Sequence, residues 1–275
     1  MATFLGIPRE IRDNIYLLVL LSEISPPISV LEAQCGRQLS TRIKYKCCQE
    51  IHFPIGPLPP ASYGLLSVCR QVHAEMKDAI SLLKKGGPPR YKIDGVFDHE
   101  YASYWKWISI PYFSPHIDTV DVDIRFFGAV SEEELREALV VYHYHVITLQ
   151  LLSLFERFLE RGPQFSAPER SSKLRVRALN VNIISTNGIP AIKRLSAEKL
   201  GSGDFSGAKY LPSPEGVADE INDDIHTVVS HGVDFIGFVD HINVSVDGRL
   251  KQHWDFTLEN WRDNLPPTQP GCWAD

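Results

Sequence analysis

The sequence predicts an α+β protein, in which two amphipathic helices near the N-terminus precede a two-layer sheet-and-helix domain built from strand-helix-strand units. Three observations lead to this prediction. Apolar residues recur at helical spacing in the first 85 residues, strand and helix patterns alternate after residue 115, and the strands carry polar residues at every second position. The chain has 275 residues, of which 44% are hydrophobic, so it can bury a full core.

The first helix is expected to begin at Pro8, because the fixed φ of proline suits the first position of a helix. Ile11, Ile15 and Leu18 follow at spacings of four and three residues, so they are expected to form its buried stripe. Arg12 lies off this stripe and is expected to face the solvent. The helix is expected to end before the two prolines at positions 26 and 27.

A second helix is expected over residues 62–85, where apolar residues again repeat at helical spacing until a Gly-Gly-Pro-Pro run stops it. Apolar residues follow neither the helical nor the strand period in residues 22–60, which are rich in proline. We interpret these residues as a long connector with one short strand. We therefore divide the chain into a helical region, residues 1–90, and a sheet-and-helix domain, residues 91–275. The apolar stripe of the second helix consists of Leu65, Cys69, Val72, Met76, Ala79 and Leu83.

The sheet-and-helix domain begins with a short extended piece at residues 91–94 and an aromatic segment, residues 97–108, which we predict to be a brief helix. Strict alternation of apolar and polar residues then predicts a strand over residues 117–126. A capping box at Ser131 and Glu134 opens a long helix that Gly162 ends. The remaining predicted elements are a strand at residues 174–184, a surface insertion at residues 187–216, a helix at residues 214–231, a strand at residues 242–246, a tight turn at Asp247 and Gly248, and a last strand at residues 250–256.

The strands of this domain that are joined through helices are predicted to lie side by side and parallel. Strands covered by helices on both faces are apolar throughout, whereas these strands alternate. Helices should therefore cover one face only and leave the other face polar, either as a solvated surface or as a binding surface for a partner or ligand. The predicted polar face consists of Asp121, Asp123, Arg125, Asn180, Asn182, Asn243 and Ser245.

The charge balance bears on the kind of partner. Lys and Arg number 28 against 34 Asp and Glu, a formal net charge of -6, so no overall positive field draws the chain to nucleic acid or to an anionic membrane. No apolar run near the N-terminus reaches the length of a membrane span, and no export signal is recognisable. We therefore expect a cytoplasmic or nuclear protein with reduced cysteines, which binds neither nucleic acid nor membrane.

Few residues suggest chemistry. Cys69 and His73 stand four residues apart on the second predicted helix and are weak candidates for two zinc ligands, but no Cys-x-x-Cys accompanies them. Asp121 and Asp123 place two carboxylates on one side of a strand, as some metal-dependent transferases do, with Arg125 on the same side to neutralise them. The sequence contains no nucleophile elbow and no phosphate loop. We expect no catalytic residue, no cofactor and no metal.

Two motifs resemble those of the F-box-like proteins, a family abundant in filamentous fungi. LGIPREIRDNIY at residues 5–16 resembles the family's L-P-x-E-I-R-x-x-I-Y, with Ile7 in place of Leu, and LLSVCRQVHAE at residues 65–75 is similar to L-L-x-V-C-R-Q-I-x-x-E. The resemblance covers about the first 85 residues. It implies a helical module that binds the adaptor subunit of a cullin-type ubiquitin ligase, followed by a domain that holds a substrate. The expected partner-binding residues of the helical pair are Pro8, Ile11, Arg12, Ile15, Arg70 and Glu75.

These observations favour a non-catalytic protein-interaction protein. The resemblance implies that this protein is an F-box-like substrate receptor for a ubiquitin ligase. The alternative is an enzyme or a small-molecule binder that uses the polar sheet face near Asp121 and Asp123. A deep pocket that combined these carboxylates with His143 or His241 would favour the alternative, and a shallow surface would favour the interaction protein.

Overall fold

In the part of the chain that the structure describes, the fold is an eight-stranded mixed sheet with two long helices on one face and a separate helical pair beside the opposite face. A computed structural model describes residues 3–35, 37–39, 51–54, 63–98, 102–127, 143–165, 167–185, 191–192, 211–212, 214–230 and 237–257. The α-helices are α1 (Arg9–Leu20), α2 (Val30–Gln34), α3 (Tyr63–Leu66), α4 (Arg70–Lys85), α5 (His143–Arg161) and α6 (Pro214–Ser230) among these residues. The strands are β1 (Arg37–Leu39), β2 (Ile51–Pro54), β3 (Arg90–Asp98), β4 (Ser103–Ser109), β5 (His116–Phe127), β6 (Arg175–Ile184), β7 (Ala191–Ile192), β8 (Leu211–Pro212), β9 (Val239–Val246) and β10 (Arg249–Asp255).

The large sheet has the strand order β1-β2-β4-β3-β5-β6-β9-β10. Its centre, β3, β5, β6 and β9, is parallel. The parallel arrangement was predicted for β5, β6 and β9, which are joined through helices, and β3 adds a further parallel strand. β4 runs antiparallel to β3, and β10 runs antiparallel to β9. β1 and β2, which come from the predicted connector, extend the sheet at its other edge.

The main core lies between this sheet and the helices α5 and α6. Val122 and Ile124 of β5 belong to this core together with Phe158 of α5 and Ile221 of α6, and all four are nearly inaccessible to solvent. Gly162 ends α5 with a φ of 76°, the left-handed conformation that the predicted glycine stop requires. The two-layer architecture is therefore confirmed. The capping box at Ser131 and Glu134 lies outside the described residues.

Among the described residues no helix covers the opposite side of the sheet over β5, β6 and β9, although one covers part of it elsewhere. The short helix α2, in the predicted connector, packs against β3 and β4 on this side, where Ala33 contacts Val96, Ala102 and Tyr104. The connector is thus more ordered than we predicted, with a helix and two strands in its described part. In the predicted insertion, β7 and β8 pair in parallel, and most of the other residues lie outside the described ranges.

The aromatic segment that we predicted to be a helix is extended in its described part, where residues 97–98 end β3 and residues 103–108 belong to the strand β4, so this prediction was wrong. Trp105 and Trp107 pack into the main core, whereas Tyr104 points to the other side and packs under α2. Gly95 of β3 pairs with Trp105, and a Cβ atom at position 95 would stand 2.5 Å from a carbon of the indole ring. The close approach of the Trp105 ring to the β3 backbone therefore needs glycine at this position.

The helical pair consists of α1 and α4, but α1 buries a different face from the predicted one. Tyr16 and Leu20 are buried against α4, together with Arg12, whereas Ile11 is 50% exposed and Leu18 is 71% exposed. The prediction of a buried Ile11-Ile15-Leu18 stripe was wrong, and so was the prediction of a solvent-facing Arg12. The physical reason is the carboxylate of Glu75 on α4, to which the Arg12 guanidinium donates two hydrogen bonds. The buried partners on α4 are Val72, Met76 and Ala79.

The second predicted helix is divided into α3 and α4. Cys69 interrupts it with an extended backbone and caps α4, its Sγ accepting a hydrogen bond from the backbone nitrogen of Val72 at 3.5 Å. The Cys69 side chain is exposed and does not belong to the apolar stripe, so that part of the prediction was wrong. Ser, Thr, Asp or Asn is the usual residue at an N-cap, which is why a cysteine gave no signal for a break here.

The closing hairpin matches the prediction. Asp247 and Gly248 have φ values of 48° and 74°, as a two-residue type I′ turn requires. The ladder between β9 and β10 is shifted between Leu250 and Gln252, where a β-bulge lies. This bulge determines which side chains of β10 reach the polar face.

Candidate functional site

The open side of the sheet carries two rows of polar side chains that cross its strands. In the first row Asp121 of β5 stands opposite Asn180 of β6, which stands opposite Asn243 of β9. In the second row Asp123, Asn182 and Ser245 have the same relation. All six are partly buried. We call these six residues, with Arg125 and the β10 residues that continue the first row, the polar face.

Hydrogen bonds run through the first row in one direction. Asn180 Nδ2 donates to Asp121 Oδ1 at 2.7 Å, Asn243 Nδ2 donates to Asn180 Oδ1 at 2.8 Å, and His253 Nδ1 lies 2.7 Å from Asn243 Oδ1. An ionised carboxylate only accepts hydrogen bonds, so Asp121 determines the orientation of both amides. Asn243 therefore presents its oxygen to β10, and His253 Nδ1 is the donor.

The second row is ordered in the same way. Asn182 Nδ2 donates to Asp123 Oδ1 at 2.9 Å, and Asn182 Oδ1 accepts from Ser245 Oγ at 3.2 Å and from the Gly248 nitrogen at 2.9 Å. Lys92 Nζ of β3 lies 3.9 Å from the other oxygen of Asp123. Short side chains that hold one another in this manner form a preorganised surface, which loses little conformational entropy on binding.

Arg125 lies on the polar face but does not neutralise the two aspartates of β5 as predicted. Its guanidinium makes a bidentate contact with Asp94 of β3, with distances of 2.9 and 2.6 Å, and the Asp94 side chain is only 3% exposed. The planar fork of arginine matches a carboxylate in this geometry. Arg125 is therefore part of the framework between β3 and β5.

A cleft of about 700 Å³ lies where the polar face meets the ends of α1 and α4. Its floor includes Asp121, Asp123, Asn180 and Asn182, and its walls include Lys92 and Glu23, whose side chains are 3.3 Å apart. The two carboxylates that the alternative function requires are thus in a cleft. His241 does not line it, and the side chain of His143 lies outside the described part of the structure.

Two tyrosines in the wall of the cleft hold the backbone in place. Tyr91 donates a hydrogen bond to the carbonyl of Tyr112 at 2.8 Å, and Tyr112 donates to the carbonyl of Gly87 at 2.7 Å. Burial raises the pKa of both hydroxyls, so they stay protonated as donors. Tyr112 thereby joins the end of the helical pair to the sheet.

A buried ion cluster joins α1 to α4. Arg12 donates to both oxygens of Glu75, at 2.8 and 2.6 Å, and Tyr16 and Gln71 donate to the same carboxylate at 2.7 and 3.0 Å. The Arg12 hydrogen bonds are the main reason that the pKa of Glu75 is lowered to about 2. Burial, followed by the bond to Glu75, raises the pKa of Tyr16 to about 12. This carboxylate explains why Arg12 faces inward.

The partner-binding residues predicted for the helical pair separate into two groups. Arg12 and Glu75 are buried against each other and build the pair. Pro8, Ile11 and Arg70 are exposed, and Ile15 is partly buried. Ile11, Ile15 and Leu18 follow the helical spacing on the outside of α1, and we call them the outer stripe.

The weak metal candidates do not form a site among the described residues. His73 Nδ1 lies 2.8 Å from the carbonyl of Leu66, and Cys69 caps its helix. Cys35 and Cys69, the cysteines that the structure describes, are both free. A group that we did not predict, His241, His253 and Asp255, instead comes together across the closing hairpin.

Comparisons with known proteins add one partial similarity. The chain matches no family model and no solved structure. It is similar to Protein ROOT PRIMORDIUM DEFECTIVE 1 of Arabidopsis thaliana, with 26% identity over 101 residues, which make up 37% of this chain. The chain spans 24% of the length of that curated relative, about a quarter. In the described part of the chain, none of the helices is both long enough and apolar enough to cross a bilayer.

Proposed function

We propose that this chain is a non-catalytic interaction protein of the cytoplasm or nucleus, which binds a protein partner through the outer stripe of α1. The observation that carries this proposal is the exposure of the stripe. Ile11 and Leu18 are 50% and 71% exposed, although α1 already buries Tyr16 and Leu20 on its other side. A surface helix needs one apolar stripe for its core, so a second stripe that faces water is typical of a binding surface.

The resemblance to F-box-like proteins favours the adaptor subunit of a cullin-type ubiquitin ligase as the partner. An amphipathic helix that presents apolar residues at helical spacing suits an apolar groove on such a partner. The buried Arg12 and Glu75 pair supports this proposal, because it fixes the orientation of α1 on α4 and so holds the outer stripe in place. In this proposal Pro8 and Arg70, which are exposed, contact the adaptor at the margins of the stripe.

The polar face is the proposed recognition surface for a substrate protein. Asp121, Asp123, Asn180, Asn182, Asn243 and Ser245 offer carboxylate, amide and hydroxyl groups that hydrogen bonds already orient. Such a surface recognises hydrogen-bond donors on its partner more readily than apolar groups, since the two carboxylates accept only.

Binding of the purified adaptor subunit to the full chain tests the proposal. The variant Leu18→Asp puts a charge into the stripe, and loss of one buried leucine contact weakens binding by roughly ten- to a hundredfold. Leu250→Asp is the matched control, because Leu250 is 62% exposed on β10, outside the helical pair. Isothermal titration calorimetry should give weaker binding for Leu18→Asp and unchanged binding for Leu250→Asp. Failure of the wild-type chain to bind the adaptor would refute the proposal that this chain attaches to the ligase.

The cleft supports a second candidate function, the binding of a small molecule near Asp121 and Asp123. Its volume of about 700 Å³ falls in the range of ligand pockets. A thermal-shift screen of polar small molecules tests this candidate with the wild-type chain and Asp123→Asn. A compound that raises the unfolding temperature of the wild type but not of the variant supports it. A screen without any such compound counts against it.

A further inference from the structure

The first row of the polar face ends at the edge strand β10 in a cluster of possible metal ligands. His241 of β9 and Asp255 of β10 are direct cross-strand partners, and His253 stands opposite Asn243 on the same face. Two imidazole nitrogens and one carboxylate oxygen from these residues all lie within 4.8 Å of one another. The three side chains come from two adjacent strands of a rigid sheet, which suits a defined coordination geometry.

The spacing of His241 and Asp255 fits a shared metal better than a direct hydrogen bond. His241 Nδ1 lies 3.6 Å from Asp255 Oδ1, which is too long for a hydrogen bond. Ligands about 2.0–2.2 Å from a tetrahedral zinc ion lie about 3.4 Å from each other. His241 Nδ1 is also buried without a hydrogen-bond partner among the described residues, although such atoms in native structures normally have one.

The first row prepares His253 to bind a metal. His253 Nδ1 is the donor to Asn243 Oδ1, because Asp121 orients both asparagine amides through the row. In the neutral imidazole the lone pair is then on Nε2. Metal-binding histidines nearly always donate their other nitrogen to an oxygen acceptor in this way, which fixes the tautomer and the ring orientation.

Asp255 is also held in place. Its Oδ1 accepts hydrogen bonds from the backbone nitrogen of Thr257 at 2.9 Å and from Thr257 Oγ1 at 2.7 Å. These bonds orient the carboxylate beside His241, with whose Nδ1 it makes the 3.6 Å contact. His253 is exposed, so an ion can reach the cluster from solvent.

We propose that His241, His253 and Asp255 bind a zinc ion, with a fourth position open to water or to a side chain of a bound partner. Two imidazoles and one carboxylate are a usual zinc ligand set with an open position. The site is independent of the outer stripe and of the adaptor, and goes beyond the proposed interaction function. The ion joins the edge strand β10 to β9 and closes the end of the polar face.

Titration of the metal-free full chain with Zn²⁺ by calorimetry tests this site. The wild type should bind one equivalent, and His253→Gln should weaken binding at least tenfold. Asn243→Ala removes the acceptor for His253 Nδ1 and the hydrogen bond to Asn180 but leaves all three ligands in place, and it should weaken binding by roughly ten- to a hundredfold. His116→Gln is the matched control, because His116 is an exposed histidine on β5 outside the cluster, and it should bind as the wild type does.

Co²⁺ in place of Zn²⁺ identifies the ligands, because thiolates give charge-transfer absorption that imidazole and carboxylate do not. The wild-type chain with Co²⁺ should show the visible absorption of a bound cobalt ion without the thiolate charge-transfer band. His253→Gln should lose the absorption of the bound ion. Three results would overturn the proposal: no Zn²⁺ binding by the wild type, equal binding by His253→Gln and His116→Gln, or a thiolate spectrum that places the ion on cysteines. His253 is exposed, so its replacement leaves the core intact, and circular dichroism of each variant verifies the fold.

Discussion

The carboxylate of Glu75 holds the helical pair together, and Glu75→Gln tests how strongly. This change keeps the size of the side chain but removes its charge. It leaves the Arg12 guanidinium buried beside an uncharged amide, and it weakens the hydrogen bonds that Arg12, Tyr16 and Gln71 donate. Removal of one member of a buried ion pair destabilises because the other charge loses its compensation.

The magnitude follows from the pKa of Glu75. It is lowered from 4.5 to about 2 in the folded chain, and the side chain is only 4% exposed. At about 1.36 kcal/mol per pKa unit, the ionised Glu75 contributes about 3 kcal/mol to stability at neutral pH. Loss of a buried ion-pair partner costs about 3–5 kcal/mol in other proteins, which agrees. Because the folded pKa is depressed, this contribution is complete above pH 4.5 and is lost as the pH falls towards 2.

Hydrogen exchange of the α1 and α4 amides measures the opening of the pair directly, since local openings have their own free energies. At pH 7 the free energy of opening should be about 3 kcal/mol lower in Glu75→Gln than in the wild type. Urea unfolding followed by circular dichroism extends the comparison to low pH. There the wild type should lose stability between pH 4.5 and about 2, and the variant should lack that component.

Asp78→Asn is the matched control for this experiment. Asp78 also lies on α4 and contacts Arg9 at 3.2 Å, but its side chain is 73% exposed, so solvent screens the pair. The control should exchange as the wild type does. A Glu75→Gln variant that opened no more readily than Asp78→Asn at pH 7 would refute the reasoning. A difference from the wild type that persisted unchanged at pH 2 would also refute it, because protonation should remove it.

Two further changes test local geometry by urea unfolding followed by tryptophan fluorescence. Gly95→Ala sets a methyl group 2.5 Å from a Trp105 ring carbon and should destabilise by about 1–3 kcal/mol; a loss below about 0.5 kcal/mol would contradict the close approach. Cys69→Ser replaces a weak thiol acceptor by a hydroxyl at the N-cap of α4 and should stabilise by about 0.5–1 kcal/mol relative to Cys69→Ala. Equal stability of the two Cys69 variants would show that this side chain does not cap the helix.

The strands of the polar face could be predicted because each has one covered side and one open side. In β5, Val120, Val122 and Ile124 face the core, and Asp121 and Asp123 face outward, so the pattern has the period of a strand. β4 gave no such pattern. Its residues are buried on both sides, by the main core and by α2, and a strand covered on both sides resembles a buried helix in sequence.

The inward face of α1 could not be predicted from its own residues. Ile11, Ile15 and Leu18 satisfy the helical period as well as Tyr16 and Leu20 do, and arginine is rarely buried without a partner. The partner of Arg12 is 63 positions away in the sequence, on α4. The contact between Arg12 and Glu75 decides which side of the helix turns inward. The local pattern of α1 contains no information about that contact.

The bulge in β10 explains why the proposed zinc ligands were also missed. A regular hairpin around Asp247 and Gly248 continues the pairs of Val246 with Arg249 and of Ser245 with Leu250, which would point His253 towards the core and Trp254 towards the polar face. The shift at the bulge reverses this assignment. Trp254 then packs against the core, and His253 and Asp255 join His241 on the open side. A regular register would bury an imidazole and expose an indole, so burial of Trp254 stabilises the bulged register, and the same register brings the three ligands together.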